Sequence, residues 1–237
     1  MRPLIVICSV VAIAGCAGVQ REAPKEAPAT AAPPAAALPN LTIAKVFRSN
    51  NVRKGCPPQG NAKPDSVKAL NILKNRVEPP ADGDLDPAVT LEAMLQPGDD
   101  EDRWDESKAG ELVGFVHDVK VGGIETTNCK ATNPADRDTH IELVIDPAHA
   151  GPSQRIVVEV TPRWRDRMSA QNLDWSTETL KHDIKGHWVR IRGWLFFDQE
   201  HVDQAENTNP GNDKNWRASV WELHPISGIE VMAAPPQ

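Results

Sequence analysis

The sequence predicts a mainly β domain of OB-like architecture. It is a five-stranded barrel with a helix between its third and fourth strands, preceded by a helical and irregular N-terminal extension. Three observations predict it. The chain carries 21 prolines and 15 glycines in 237 residues, which excludes a helical bundle. Beyond residue 110, short β-rich stretches separated by turn residues come in the order three strands, a helix, two strands, the order of the OB-fold. A hydrophobic fraction of 40% with 25% charged residues suits a packed core rather than a disordered chain.

Residues 1–15 read as a leader. Arg2 supplies a short positive start, and the apolar stretch at 4–14 falls short of the about 20 residues that span a bilayer. The stretch ends in Ile13-Ala14-Gly15-Cys16, which resembles the bacterial lipobox, so Cys16 is the expected lipidation site and 1–15 the expected signal peptide. Several acyl chains on Cys16 would hold the protein at a membrane. Ala17, rather than an aspartate, is similar to the outer-membrane sorting pattern. The expected location is the bacterial cell envelope, lipid-anchored, at the outer membrane facing the periplasm. Residues 17–39 contain nine Ala and five Pro and read as an extended tether. At about 3.1 Å per residue it reaches roughly 70 Å at most.

The extension at 40–110 is expected to hold short helices. Asp65 or Ser66 caps a turn in which Val67, Leu70 and Leu73 recur at near-helical spacing. Asp86-Pro87 reads as an N-cap with proline at the first helical position, followed by Leu91, Met94 and Leu95 on one face and stopped at Pro97-Gly98. The acidic run at 99–105 has no EF-hand spacing and reads as a solvated loop. With Cys8 cleaved away and Cys16 lipidated, Cys56 and Cys129 remain, and an oxidising envelope favours a disulfide between them.

The barrel is expected at 111–237. Its strands fall at 112–120, at 140–145 (Ile141, Leu143 and Ile145 on one face), at 156–161 closed by Pro162, at 188–197, and at 218–224 continued by 228–232. A helix at 174–182, capped by Asp174 or Ser176, separates the third strand from the fourth. The polar stretch at 198–216 reads as a loop beside the barrel, either lid or surface.

Two places could carry chemistry. On the fourth strand, Trp188, Arg190, Arg192, Trp194 and Phe196 share the face opposite Val189, Ile191, Gly193, Leu195 and Phe197. Interleaved Arg and Trp form a candidate ligand face for a small molecule or glycan, unless residues 40–110 cover it. His140, His201 and His224 lie on or just after strands that a barrel can bring near one another. With a carboxylate such as Asp198, Glu159 or Glu222 they would suit one divalent metal such as zinc, and a metal-bound water for hydrolysis, phosphodiesterase-like. No GxSxG elbow, P-loop or dinucleotide glycine pattern is present, so no catalytic residues are assigned. A net charge of −7 argues against nucleic acid as partner.

Four strings, Gly55-Cys56-Pro57-Pro58, Leu70-Asn71-Ile72-Leu73-Lys74-Asn75-Arg76, Asp138-Thr139-His140-Ile141 and Trp221-Glu222-Leu223-His224-Pro225-Ile226, together resemble a family of uncharacterised bacterial envelope lipoproteins with an OB-like domain. The resemblance spans about residues 45–232; it implies the barrel and carries no activity over. The expected function is a membrane-anchored lipoprotein displaying a non-catalytic binding domain for a small ligand, glycan or envelope protein. A metal-dependent hydrolase and a structural envelope component are the alternatives.

Overall fold

The computed structural model describes residues 52–233. The leader, Cys16 and the tether lie outside the described residues. Strands β1 (Ala109–Val121), β2 (Thr139–Val144), β3 (Ile156–Val160), β4 (Trp188–Phe197) and β5 (Trp221–Met232) close into a barrel in the order β1-β2-β3-β5-β4. Every pairing is antiparallel except β3 with β5, which run parallel at Val158 and Leu223. This is the OB-like closure that the element order predicts. β-Branched and aliphatic side chains at alternate positions, among them Val116, Ile141, Val158, Ile191 and Leu223, fill the interior because period two turns them to one face.

The strand ends differ from expectation. β1 begins at Ala109, so a boundary at 110 cuts through the first strand, and the described residues on both sides belong to one compact unit. β5 runs through Pro225 instead of breaking there. Its register against β4 shifts beside Gly193, where a Cβ would stand 2.8 Å from the Pro225 carbonyl oxygen and 2.9 Å from Ile226 Cα. Only glycine admits that approach.

Two helices, not one, separate β3 from β4. Helices α1 (Asp65–Lys74) and α2 (Leu91–Leu95) precede the barrel, and α3 (Pro162–Ser169) and α4 (Thr177–Ile184) lie within it. Pro162 was expected only to close β3; instead it occupies the first turn of α3, with Thr161 Oγ1 accepting from the Trp164 amide. Ser176 caps α4 as expected, accepting from the Thr179 amide. α1 starts after Pro64 without a side-chain cap, and Asp65 pairs with Lys68 instead. α2 is capped by Thr90 rather than Asp86, which accepts from the Ala88 amide in a turn of its own. Val89, Leu91 and Met94 join the barrel core.

The disulfide Cys56–Cys129 is formed, with an S–S distance of 2.07 Å across 73 residues. It pins the extension to the β1–β2 connection. Asn71 and Asn75 reinforce it, donating to the carbonyls of Gln59 and Pro58 respectively, and to the Oγ1 atoms of Thr126 and Thr127. In the acidic run, Asp100 is not solvated but wholly buried. Among the described residues no helix is long and apolar enough to cross a membrane.

Candidate functional site

The strand-four face is largely engaged with the chain itself. Arg190 pairs with Glu230 at 2.7 Å and Glu111 at 3.4 Å; Arg192 pairs with Asp82 at 2.8 Å and Glu111 at 3.2 Å. Trp194 Nε1 donates to the Glu78 carbonyl, and the Arg76 guanidinium sits over its ring. Trp188 packs edge-on against Phe115. Phe196 is a correction: it is 0% exposed, beneath the Lys74 ammonium. Residues 74–84 therefore run along this strand and satisfy most of what an incoming ligand would use. Two surface clefts of about 190 and 240 Å³ flank Arg53 and Lys54, and neither is lined by this face.

The outer face of the neighbouring strands holds a different assembly. With Ile141, Val158 and Leu223 turned inward, alternation turns His140 (β2), Glu159 (β3), Glu222 and His224 (β5) outward. Outward is not exposed here, because His140 is 9% accessible and the other three 0–2%. α1 covers them with Lys74, the β1–β2 connection with Glu125, Asn128 and Asp138, and the β4–β5 loop with Asp198, His201, Trp216 and Arg217.

Within this cluster Asp138, Glu159 and His224 approach so that one ligand-capable atom from each lies within 4.8 Å of the others. Hydrogen bonds hold each by one atom, and His224 Nδ1 also lies 3.7 Å from Glu159 Oε2, within ion-pair distance. Asp138 Oδ2 accepts from Asn128 Nδ2 at 2.7 Å, Glu159 Oε1 faces His140 Nε2, and His224 Nδ1 lies 3.3 Å from Glu222 Oε2. The second atom of each, Asp138 Oδ1, Glu159 Oε2 and His224 Nε2, is buried without a hydrogen-bond partner. Buried polar atoms are otherwise nearly always paired. With Arg217 Nη2, also buried and without a partner in the same cluster, four such atoms mark the site.

Electrostatics follow from the burial. Burial, together with the carboxylates of Glu222, Glu125 and Asp138, holds Glu159 well above the usual carboxylate range against the pull of His224. Burial likewise raises Asp138 and lowers His140. At His224 burial opposes the charged form, but Glu159, Glu222 and Asp138 outweigh it and raise the pKa. Burial disfavours the charge on Asp198 too, yet the hydrogen bond from His201, Lys74 and Arg217 carry its carboxyl far below the ordinary range. Lys74 donates to Glu125 at 2.9 Å, and Arg217 to Glu222 at 2.6 Å.

The structure brings only part of the predicted histidine trio together. His224 is in the three-residue set, and His140 stands one step away, gripping Glu159. His201 is instead the partner of Asp198, with Trp216 against both its ring and that of His140, at centroid distances of 5.7 and 6.0 Å. Among the described residues the three histidines do not form a convergent ligand group, and the Trp216 ring lies against the imidazoles of both His140 and His201. Of the carboxylates weighed from sequence, Glu159 belongs to the set, Glu222 orients His224, and Asp198 stabilises His201. Asp138, Lys74 and Arg217 were missed. Asp138 and Lys74 lie in the strings that carry the family resemblance, which was the available signal. No protein-family model matches this chain, and no curated protein or solved structure matches it.

Proposed function

We propose that the chain is a lipoprotein of the bacterial cell envelope, anchored through Cys16 at the outer membrane and facing the periplasm. Its barrel serves as a non-catalytic binding module. In this reading the ligand sits at the Asp138–Glu159–His224 cluster, between the outer face of the barrel and its N-terminal cover, and not on strand four. The observation that carries it is that Asp138, Glu159 and His224, each with a buried atom lacking a hydrogen-bond partner, bring ligand-capable atoms within 4.8 Å of one another. Leaving such atoms unpaired costs about 1–3 kcal/mol each, so an occupant that pairs them is favoured. Hydrolysis at the same place is less well supported, since a substrate and water would need an open route to residues 0–2% exposed.

Two measurements test the reading. Intact mass of the protein from membrane fractions should show an acylated N-terminal Cys16 with 1–15 removed, and Cys16→Ser should move the protein to the soluble envelope fraction. Native mass spectrometry of the full-length protein in mild detergent should show a bound mass that Glu159→Gln loses and Arg192→Ala keeps. A bound mass lost in Arg192→Ala and kept in Glu159→Gln would return the site to strand four. No bound mass at all would leave a structural envelope component.

A further inference from the structure

We propose that Asp138, Glu159 and His224 hold one divalent transition-metal ion; the inference rests on the binding reading above and names its occupant. Zinc ligands stand about 2.0–2.2 Å from the ion and so about 3.4 Å from one another. The ligand-capable atoms here lie within 4.8 Å of one another with no ion between them.

Its architecture is that of a supported metal site. Ligating imidazoles generally donate their second nitrogen to a carboxylate, and ligating carboxylates are themselves hydrogen-bonded. Glu222 takes that place for His224, His140 for Glu159 and Asn128 for Asp138. In every case the atom left over is the buried, unpartnered one.

Charge points the same way. Asp138, Glu159, Glu222, Glu125 and Asp198 act on one another and on Lys74 and Arg217, and Arg165 acts on Asp138. Five carboxylates face three permanent cations, and a divalent ion at the buried Asp138, Glu159 and His224 offsets the surplus. One imidazole with two carboxylates is a borderline donor set suited to zinc, manganese or iron. It falls short of the about 6–8 oxygens that calcium takes.

The test is elemental analysis of the full-length protein extracted from the envelope in mild detergent, beside Asp138→Asn, Glu159→Gln, His224→Gln and His201→Asn. The expected result is about one equivalent of zinc, manganese or iron in the wild type and in His201→Asn. The three ligand variants should fall at least about ten-fold, with native circular dichroism and an intact disulfide. Independently of any variant, chelator treatment in mild denaturant should lower the melting temperature of the wild type, and added zinc or manganese should restore it. Metal retained in all three ligand variants overturns the site. Wild type that holds no metal as extracted, and none after incubation with zinc or manganese and desalting, overturns the metal. If native mass spectra of that sample show another bound mass lost in the same variants, the binding reading survives. If they show none, both fall and protons neutralise the cluster.

Discussion

Asp100 shows how much one side chain in an acidic run can hold. Its Oδ2 accepts from the Val220 amide at 2.9 Å, and its Oδ1 from Asn207 Nδ2 and Arg103 Nη1. Its own carbonyl accepts from Trp221 Nε1, which sets the tryptophan at the start of β5. Asp100→Ala strips the buried Val220 amide of its partner and should destabilise the fold by about 2–4 kcal/mol, read as a lower urea midpoint. Asp99→Ala, on an exposed neighbour, should change it by less than about 0.5 kcal/mol. At His201, the hydrogen bond that its Nδ1 donates to Asp198 raises the pKa above the ordinary about 6.5. A group raised on folding stabilises fully below its unfolded pKa and loses that contribution as pH rises through the folded value. The stability gap between wild type and His201→Asn should therefore be largest near pH 5–6 and shrink toward alkaline pH, as read by urea titrations across that range. A gap that widens with pH would contradict the assigned Asp198 contact. Neither residue role was legible in sequence, because Asp100 sits among exposed acids and His201 in a polar stretch, where composition says solvent.

At the scale of elements, the legible parts were those whose code is local. Each strand carries its own alternation, Ser176 its own capping pattern, and the two cysteines their own redox logic. α3 was missed although Thr161-Pro162 is a helix-start signal, because Pro162 also fits the end of a strand and periodicity over eight residues does not arbitrate. α3 matters for the cover: Arg163 donates to the Cys56 carbonyl and to Asn75 Oδ1, and Trp164 Nε1 to the Arg76 carbonyl. The disulfide joins the same seam across 73 residues. In the chain-entropy model closing such a loop contributes about 4 kcal/mol. Cys56→Ser with Cys129→Ser should destabilise the fold by about 2–5 kcal/mol, read as a lower urea midpoint, and a loss below about 1 kcal/mol would mean that the asparagine and Arg163 contacts fasten the cover unaided.

For the whole molecule, the extension is part of the core rather than an appendage. Val89, Leu91 and Met94 complete the barrel interior, and Lys74 lies over the outer cluster at 2% exposure. A chain reduced to 109–233 would lose Lys74 from over Phe196 and the outer cluster and leave the interior short of α2. It should lack the cooperative urea transition expected of the full-length protein, checked by circular dichroism and tryptophan emission. A cooperative transition in the truncated chain would show that the barrel is self-sufficient and its cover separable.

The sequence by itself determined the barrel, its strand order, its disulfide partners and the exclusion of a helical bundle, because these depend on side-chain period, chain order and turn chemistry. It named His140, Glu159, Glu222 and His224 as candidates but grouped them by residue type. Only the tertiary structure decided that the outward row of β2, β3 and β5 is covered, that Trp216 contacts both His140 and His201, and that Asp138 completes the set with Glu159 and His224. Alternation along a strand distinguishes two faces. It does not say which other segment, hundreds of ångströms away in an extended chain, will fold over the second one and exclude water from it.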